Sequence, residues 1–82
     1  MGIRTNQGYM IIEAVRINTI LEVVLAQINT GCGTQYVTWQ CTDGQNYYWG
    51  HYFMNDFNAA RHDLFSRVLE LLPEGGQQCE SE

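Results

Sequence analysis

Two runs of β-branched and aromatic residues joined by a short turn constrain the fold of this chain more than any other feature. The runs cover residues 36–41 and 47–53, and Thr42, Asp43, Gly44 and Gln45 lie between them. Valine, threonine and the aromatic residues favour strands, and an Asp-Gly pair favours the tight turn of a hairpin. The sequence therefore predicts an antiparallel β-hairpin.

The register of this hairpin decides which side chains are buried. A three-residue loop over residues 42–44 would pair Trp39 with Tyr47 and gather the large apolar rings on one face. A two-residue turn at Asp43 and Gly44 would place the two tryptophans on opposite faces, so we favour the three-residue loop. The predicted buried face consists of Val37, Trp39, Tyr47, Trp49, His51 and Phe53. The predicted outer face consists of Tyr36, Thr38, Gln40, Tyr48 and Tyr52.

Apolar residues in the first third of the chain recur at spacings of three and four, which is typical of an amphipathic helix. They include Met10, Ala14, Ile17, Leu21, Val24 and Ile28. On this pattern we predict a helix over residues 7–29, ended by the two glycines that flank Cys32. An alternative interpretation makes the β-branched run before Thr19 a strand and begins the helix at Thr19, where Glu22 has the spacing of a capping box.

The last third predicts a second helix with well-marked ends. Asn55 and Asp56 supply a cap, an apolar stripe follows, and Pro73 prevents continuation, so we predict a helix over residues 56–72. Residues 74–82 have no apolar side chain apart from Cys79, and residues 73–82 are predicted to form a disordered acidic tail. The predicted fold is a single α+β domain over residues 1–72 in the order α-β-β-α, with a two-stranded hairpin packed against two helices.

Charge and cysteine usage exclude several classes of function. Nine acidic residues, four arginines and no lysine give a net charge of -5, which disfavours nucleic acid and anionic membranes and mildly favours a basic partner. Glu13, Arg16 and Glu22 interrupt the longest apolar stretch, so we predict no membrane span. The three cysteines have neither disulfide nor metal-site spacing. We therefore expect free thiols, no metal or cofactor, and a cytoplasmic protein.

One pair of residues invites a catalytic interpretation. Cys32 would approach His51 if the glycine loop folded back over the hairpin, giving a thiol-dependent enzyme. No asparagine or aspartate is placed by the sequence to orient the histidine, which hydrolases of this kind require. We therefore predict that the protein is not an enzyme.

An interaction function follows from the small size of the predicted sheet, because two strands are marginal in water and both have free edges. We predict a protein-protein interaction module that acts as a homodimer. A second copy would complete the sheet, pack on the outer tyrosines or pair along the apolar seam of the predicted first helix. The predicted interaction surface consists of Tyr36, Tyr48, Trp49, His51 and Tyr52. The alternative is a small acidic inhibitor, of the kind phages and mobile elements encode, that occupies a basic nucleic-acid-binding groove of another protein. Its anionic surface would be Asp56, Asp63, Glu70, Glu74, Glu80 and Glu82.

Overall fold

A computed structural model of the chain describes residues 3–72 as a curved antiparallel sheet with one helix. The elements are β1 (Thr5–Asn6), β2 (Tyr9–Arg16), β3 (Leu21–Thr30), β4 (Gly33–Thr42), β5 (Asn46–Met54) and α1 (Phe57–Leu71). The strands pair in chain order, β1-β2-β3-β4-β5, and form a half-barrel. The predicted α-β-β-α order is therefore wrong, because the sheet has five strands and the described residues contain one helix.

The predicted first helix is a β-hairpin made of β2 and β3. Asn18 explains the reversal, since its side-chain Oδ1 accepts hydrogen bonds from the backbone N–H groups of Ile20 at 2.9 Å and Leu21 at 2.8 Å. The backbone N–H of Ile17 also donates to the Leu21 carbonyl at 2.8 Å. An asparagine that binds nearby backbone groups favours a turn over a helix. The alternative interpretation was right about a strand before Thr19 and wrong about the helix after it.

Burial of β3 on both of its faces explains why the apolar spacing was misleading. Val23, Val24, Leu25 and Ala26 are consecutive and fully buried. A central strand covered on both sides loses the alternation of apolar and polar residues that identifies strands in a sequence. Along β2 exposure alternates regularly, but a β-bulge at Ile12 moves the half-buried residues after it to the opposite face of the sheet. The spacings of three and four therefore arose without a helix.

The hairpin prediction is confirmed by β4 and β5, but the predicted register is wrong. Cys41 lies opposite Tyr47, and Thr42 lies opposite Asn46. Asp43 and Gly44 both have positive φ, at 56° and 70°, and the N–H of Gln45 donates to the Thr42 carbonyl at 3.1 Å. The loop is therefore residues 43–45, because the Asp-Gly pair takes up the left-handed backbone of the turn.

A second bulge, at Trp49, separates the two tryptophans. Gln40 pairs with Tyr48 and Thr38 pairs with His51, so β5 has one extra residue between these pairs. Trp49 has a φ of 58° and is 67% exposed, whereas Trp39 is 3% exposed. The prediction that both tryptophans share one buried face is therefore wrong, because the bulge reverses the alternation halfway along β5.

The predicted last helix is confirmed by α1. Oδ1 of Asp56 accepts a hydrogen bond from the backbone N–H of Ala59 at 2.9 Å, as an N-cap residue does. At the other end, the N–H of Leu72 donates to the Val68 carbonyl at 3.0 Å. The predicted tail over residues 73–82 lies outside the described residues.

Apolar side chains pack on both faces of the sheet. The helix-side core, between the sheet and α1, contains Val23, Leu25, Ala60, Leu64 and Val68. The inner core, on the opposite face, contains Val24, Ala26, Val37, Trp39 and Cys41, with Tyr9, Ile11 and Tyr47 packed against it. The curvature of the half-barrel lets side chains of the outer strands cover the inner core without a second helix.

Candidate functional site

Four of the five residues predicted to form an interaction surface lie together on β5. Trp49 and Tyr52 are exposed, at 67% and 53%, and His51 is also exposed. Tyr48 is partly buried, with its ring 5.0 Å from that of Trp49. Tyr36 lies elsewhere, against the helix-side core and the Phe57 ring at 5.4 Å. The structure therefore places three of the predicted surface residues, Trp49, His51 and Tyr52, as exposed side chains at one edge of the sheet.

This edge lacks most of the features that protect edge strands. β5 pairs with β4 on one side, and no other strand of residues 3–72 pairs with it. Edge strands are usually protected by charged residues, proline or bulges. None of the nine residues of β5 is Asp, Glu, Lys, Arg or Pro, and Met54 adds a third exposed apolar side chain. The bulge at Trp49 is the one protective feature on this strand.

The bulge requires a close approach between β5 and the inner core. A Cβ atom on Gly50 would lie 2.8 Å from Nε1 of Trp39 and 2.9 Å from Cε1 of Tyr52. Glycine therefore lets the buried indole reach the backbone of β5. Trp49, the residue before it, has left-handed backbone, which is unfavourable for a bulky side chain and is found mainly where the surroundings enforce it. The buried indole and the exposed one are thus coupled through a single backbone irregularity.

A hydrogen-bonded network holds His51 against α1. Nδ1 of His51 donates to Oδ2 of Asp63 at 2.9 Å, and the hydroxyl of Thr38 donates to the same oxygen at 2.6 Å. Nη1 of Arg67 donates to the carbonyl and to the hydroxyl oxygen of Thr38, both at 3.0 Å. Burial lowers the pKa of Arg67, while the nearby Asp63 carboxylate acts in the opposite direction. The network ties the helix to β4 and β5 and fixes the orientation of the imidazole.

Asp63 is therefore the orienting acid that sequence reasoning did not assign to His51. An aspartate at Nδ1 of a histidine is the arrangement that hydrolases use, but the nucleophile predicted for it is remote. Cys32 lies in the β3–β4 turn, six residues before Thr38, which is the register partner of His51. That separation is about 20 Å along a strand. The structure does not bring the predicted cysteine and histidine together.

The second described thiol lies in a polar cluster inside the half-barrel. The guanidinium of Arg4 donates to Glu22 at 3.0 Å and to the hydroxyl of Tyr47 at 3.0 Å, and Sγ of Cys41 lies 3.7 Å from it. The hydrogen bond to Glu22 raises the pKa of Arg4. Burial, followed by the Glu22 charge, raises the pKa of the Cys41 thiol. The cluster fastens the chain before β1 to β3, β4 and β5, while the burial of the thiol disfavours its ionisation.

Several acidic side chains act inside the molecule. Asp56 caps α1, Asp63 belongs to the His51 network, and Glu22 is bonded to Arg4. Glu74, Glu80 and Glu82 lie outside the described residues. Within residues 3–72 the predicted anionic surface comprises Asp56 and Asp63, which make these internal contacts, and Glu70, which is exposed; Glu22 was not among its predicted residues.

Residues 3–72 contain no group of three or more His, Cys, Asp or Glu side chains arranged to hold a metal ion. No helix within these residues has the length and apolar character needed to cross a membrane. Comparison of the chain with protein-family models, curated proteins and solved structures finds no match.

Proposed function

We propose that this chain is a non-enzymatic interaction module that acts as a homodimer, with the free edge of β5 as the contact. The observation that carries the proposal is an uncharged nine-residue edge strand that exposes Trp49, Tyr52 and Met54. Tryptophan and tyrosine are the residues that most often dominate binding energy at interfaces.

A second copy of the chain is the partner that fits this edge. The strand presents unpaired backbone N–H and C=O groups, and an antiparallel copy of the same strand satisfies both sets at once around a two-fold axis. The net charge of -5 repels a second copy in general, but β5 contains none of the Asp, Glu, Lys or Arg residues. Pairing through β5 therefore brings no like charges into direct opposition and gives a continuous sheet shared by two copies.

Trp49 is the expected anchor of this contact. Its ring is two-thirds exposed although its backbone is held in an unfavourable left-handed conformation. Burying an aromatic side chain of this size removes 150 to 250 Å² from water, as a rough general figure. The contact would therefore remove from water an aromatic surface that the monomer leaves exposed.

Sedimentation equilibrium across the micromolar range tests the proposal. We expect a mass of twice 9.4 kDa for the parent protein and a single-chain mass for Trp49→Lys. Leu69→Lys is the matched control, because Leu69 is 72% exposed on α1 and the same change there leaves β5 untouched. Far-UV circular dichroism verifies that both variants keep the fold.

Two outcomes argue against the β5 contact. If the parent protein sediments as a single chain at every concentration, no homodimer forms and the proposal is wrong. If the dimer persists in Trp49→Lys but is lost in Leu69→Lys, the contact lies on α1 and not on β5.

The proposed location is the cytoplasm, because the exposed Cys32 and the buried Cys41 form no disulfide within residues 3–72. Cell fractionation of the tagged protein tests this, and recovery from an oxidising compartment contradicts it.

A further inference from the structure

The outer edge of β2 is a second free edge, at the opposite side of the sheet from β5. β1 is two residues long and pairs with β2 at Tyr9 and Met10. The N–H of Ile11 also donates to the carbonyl of Arg4 at 2.9 Å. Beyond that point, no strand within residues 3–72 covers the outer edge of β2.

An apolar groove of about 380 Å³ follows this edge. Its lining consists of Ile3, Arg4, Met10, Ile11, Ile12, Glu13 and Ala14. Ile3, Met10 and Ile12 are exposed, and a β-bulge lies at Ile12. The volume is at the low end for binding pockets, so the groove suits a few aliphatic side chains rather than a cofactor.

The charged groups of the groove already have partners within the chain. The guanidinium of Arg4 is bonded to Glu22 at 3.0 Å. Both carboxylate oxygens of Glu13 accept hydrogen bonds from Arg61 at 3.1 Å. A charged occupant would have to displace one of these pairs, whereas an uncharged occupant leaves both intact. Charge complementarity therefore favours an uncharged apolar ligand.

We infer that this groove is a docking site for an extended, uncharged aliphatic segment of another protein, which adds to β2 as a strand. In strand addition the backbone hydrogen bonds supply affinity, and pockets for alternate side chains supply specificity. The free edge of β2 supplies the backbone groups, and the groove lined by Met10 and Ile12 receives the side chains. Because β3 and β4 lie between β2 and β5, this site can be occupied while the chain is dimeric through β5.

A peptide titration tests the inference on the full chain. The probe is an acetylated and amidated octapeptide in which threonine and valine alternate. With ¹⁵N-labelled protein, we expect concentration-dependent shifts of the backbone amides of residues 10–16. The same peptide with glutamate in place of valine is expected to bind at least tenfold more weakly, which tests the apolar requirement without any change to the protein.

A pair of matched variants locates the site. Ile12→Glu is expected to weaken binding of the threonine-valine peptide at least tenfold. Ile20→Glu introduces the same charge at an exposed isoleucine in the β2–β3 turn, outside the groove, and is expected to bind like the parent.

Three results would overturn the inference. They are equal binding of the two peptides, shifts confined to the β5 amides, and equal binding by Ile12→Glu and the parent. Loss of the dimer in Ile12→Glu would also overturn it, because the groove would then hold a second copy. Loss of the dimer in Trp49→Lys concerns the β5 contact and leaves this inference standing.

Discussion

Replacing Gly50 by alanine tests how tightly the bulge of β5 is packed on the inner core. Gly50 has no positive φ, so alanine meets no backbone strain there. The new Cβ would lie 2.8 Å from Nε1 of Trp39 and 3.0 Å from the hydroxyl of Tyr52. Tyr52 is about half exposed and can move aside, but Trp39 is 3% exposed and has no room to retreat. The contact with the indole therefore decides the outcome.

The expected loss follows from two opposing effects. Forcing an extra methyl group into a packed core typically costs about 1 to 3 kcal/mol. Replacing glycine by alanine inside a strand returns about 0.5 to 1 kcal/mol, because the unfolded chain has less conformational entropy to lose. Subtracting the gain from the cost, we expect Gly50→Ala to lower the free energy of unfolding by roughly 0 to 2.5 kcal/mol, with a central value of about 1 kcal/mol.

Urea denaturation followed by far-UV circular dichroism measures this loss. Gly31→Ala is the matched control, because Gly31 lacks a positive φ and its Cβ would meet no atom within 4 Å. We expect that variant to equal the parent or to gain up to about 1 kcal/mol. If Gly50→Ala is as stable as Gly31→Ala, the indole of Trp39 does not pack on the backbone of β5 and the bulge geometry is wrong.

Three further predictions concern single side chains. Trp39→Ala should lower the free energy of unfolding by about 3 to 5 kcal/mol, and Trp49→Ala should lower that of the monomer by less than about 0.5 kcal/mol. Urea denaturation at low protein concentration measures both, and similar losses in the two variants would contradict the placement of the two rings. Asp56→Ala should lower it by about 1 kcal/mol through loss of the N-cap, while Asp56→Asn should retain most of it. Iodoacetamide at pH 8 should label Cys32 in the folded protein and spare Cys41, whose thiol pKa is raised by burial, until denaturant is added. Peptide mapping by mass spectrometry decides this last prediction, and rapid labelling of Cys41 in the native protein would refute it.

Local chemistry made part of the fold predictable from the sequence. The helix over residues 57–71 follows from a capping aspartate at its start and from Pro73 after its end, both of which act within one turn of the backbone. The β4–β5 hairpin follows from β-branched and aromatic residues on either side of an Asp-Gly turn. The exposed position of Tyr52 was also predicted. These features depend on neighbours in the chain, so they do not require knowledge of the remaining structure.

Tertiary structure decided the features that depend on distant residues. The bulge at Trp49 accompanies a close approach of Gly50 to the indole of Trp39 on another strand, and no spacing within β5 reveals that contact. Asp63 reaches His51 because α1 crosses the sheet at Thr38, 25 residues away in sequence.

The first third of the chain was mispredicted for the same reason, because its helix-like apolar spacing comes from a strand, β3, that distant residues bury on both faces. What covers β3 is α1 on one side and, on the other, aromatic residues of β2 and β5. Nevertheless, nine Ile, Val and Thr residues between Ile11 and Ile28 were a local sign of strands, and they outweigh an apolar period when the two disagree. The sequence alone thus determined the capped helix and the existence of the β4–β5 hairpin, because their interactions are local. The sheet, its two cores and its two free edges were decided by contacts that form only when distant strands meet.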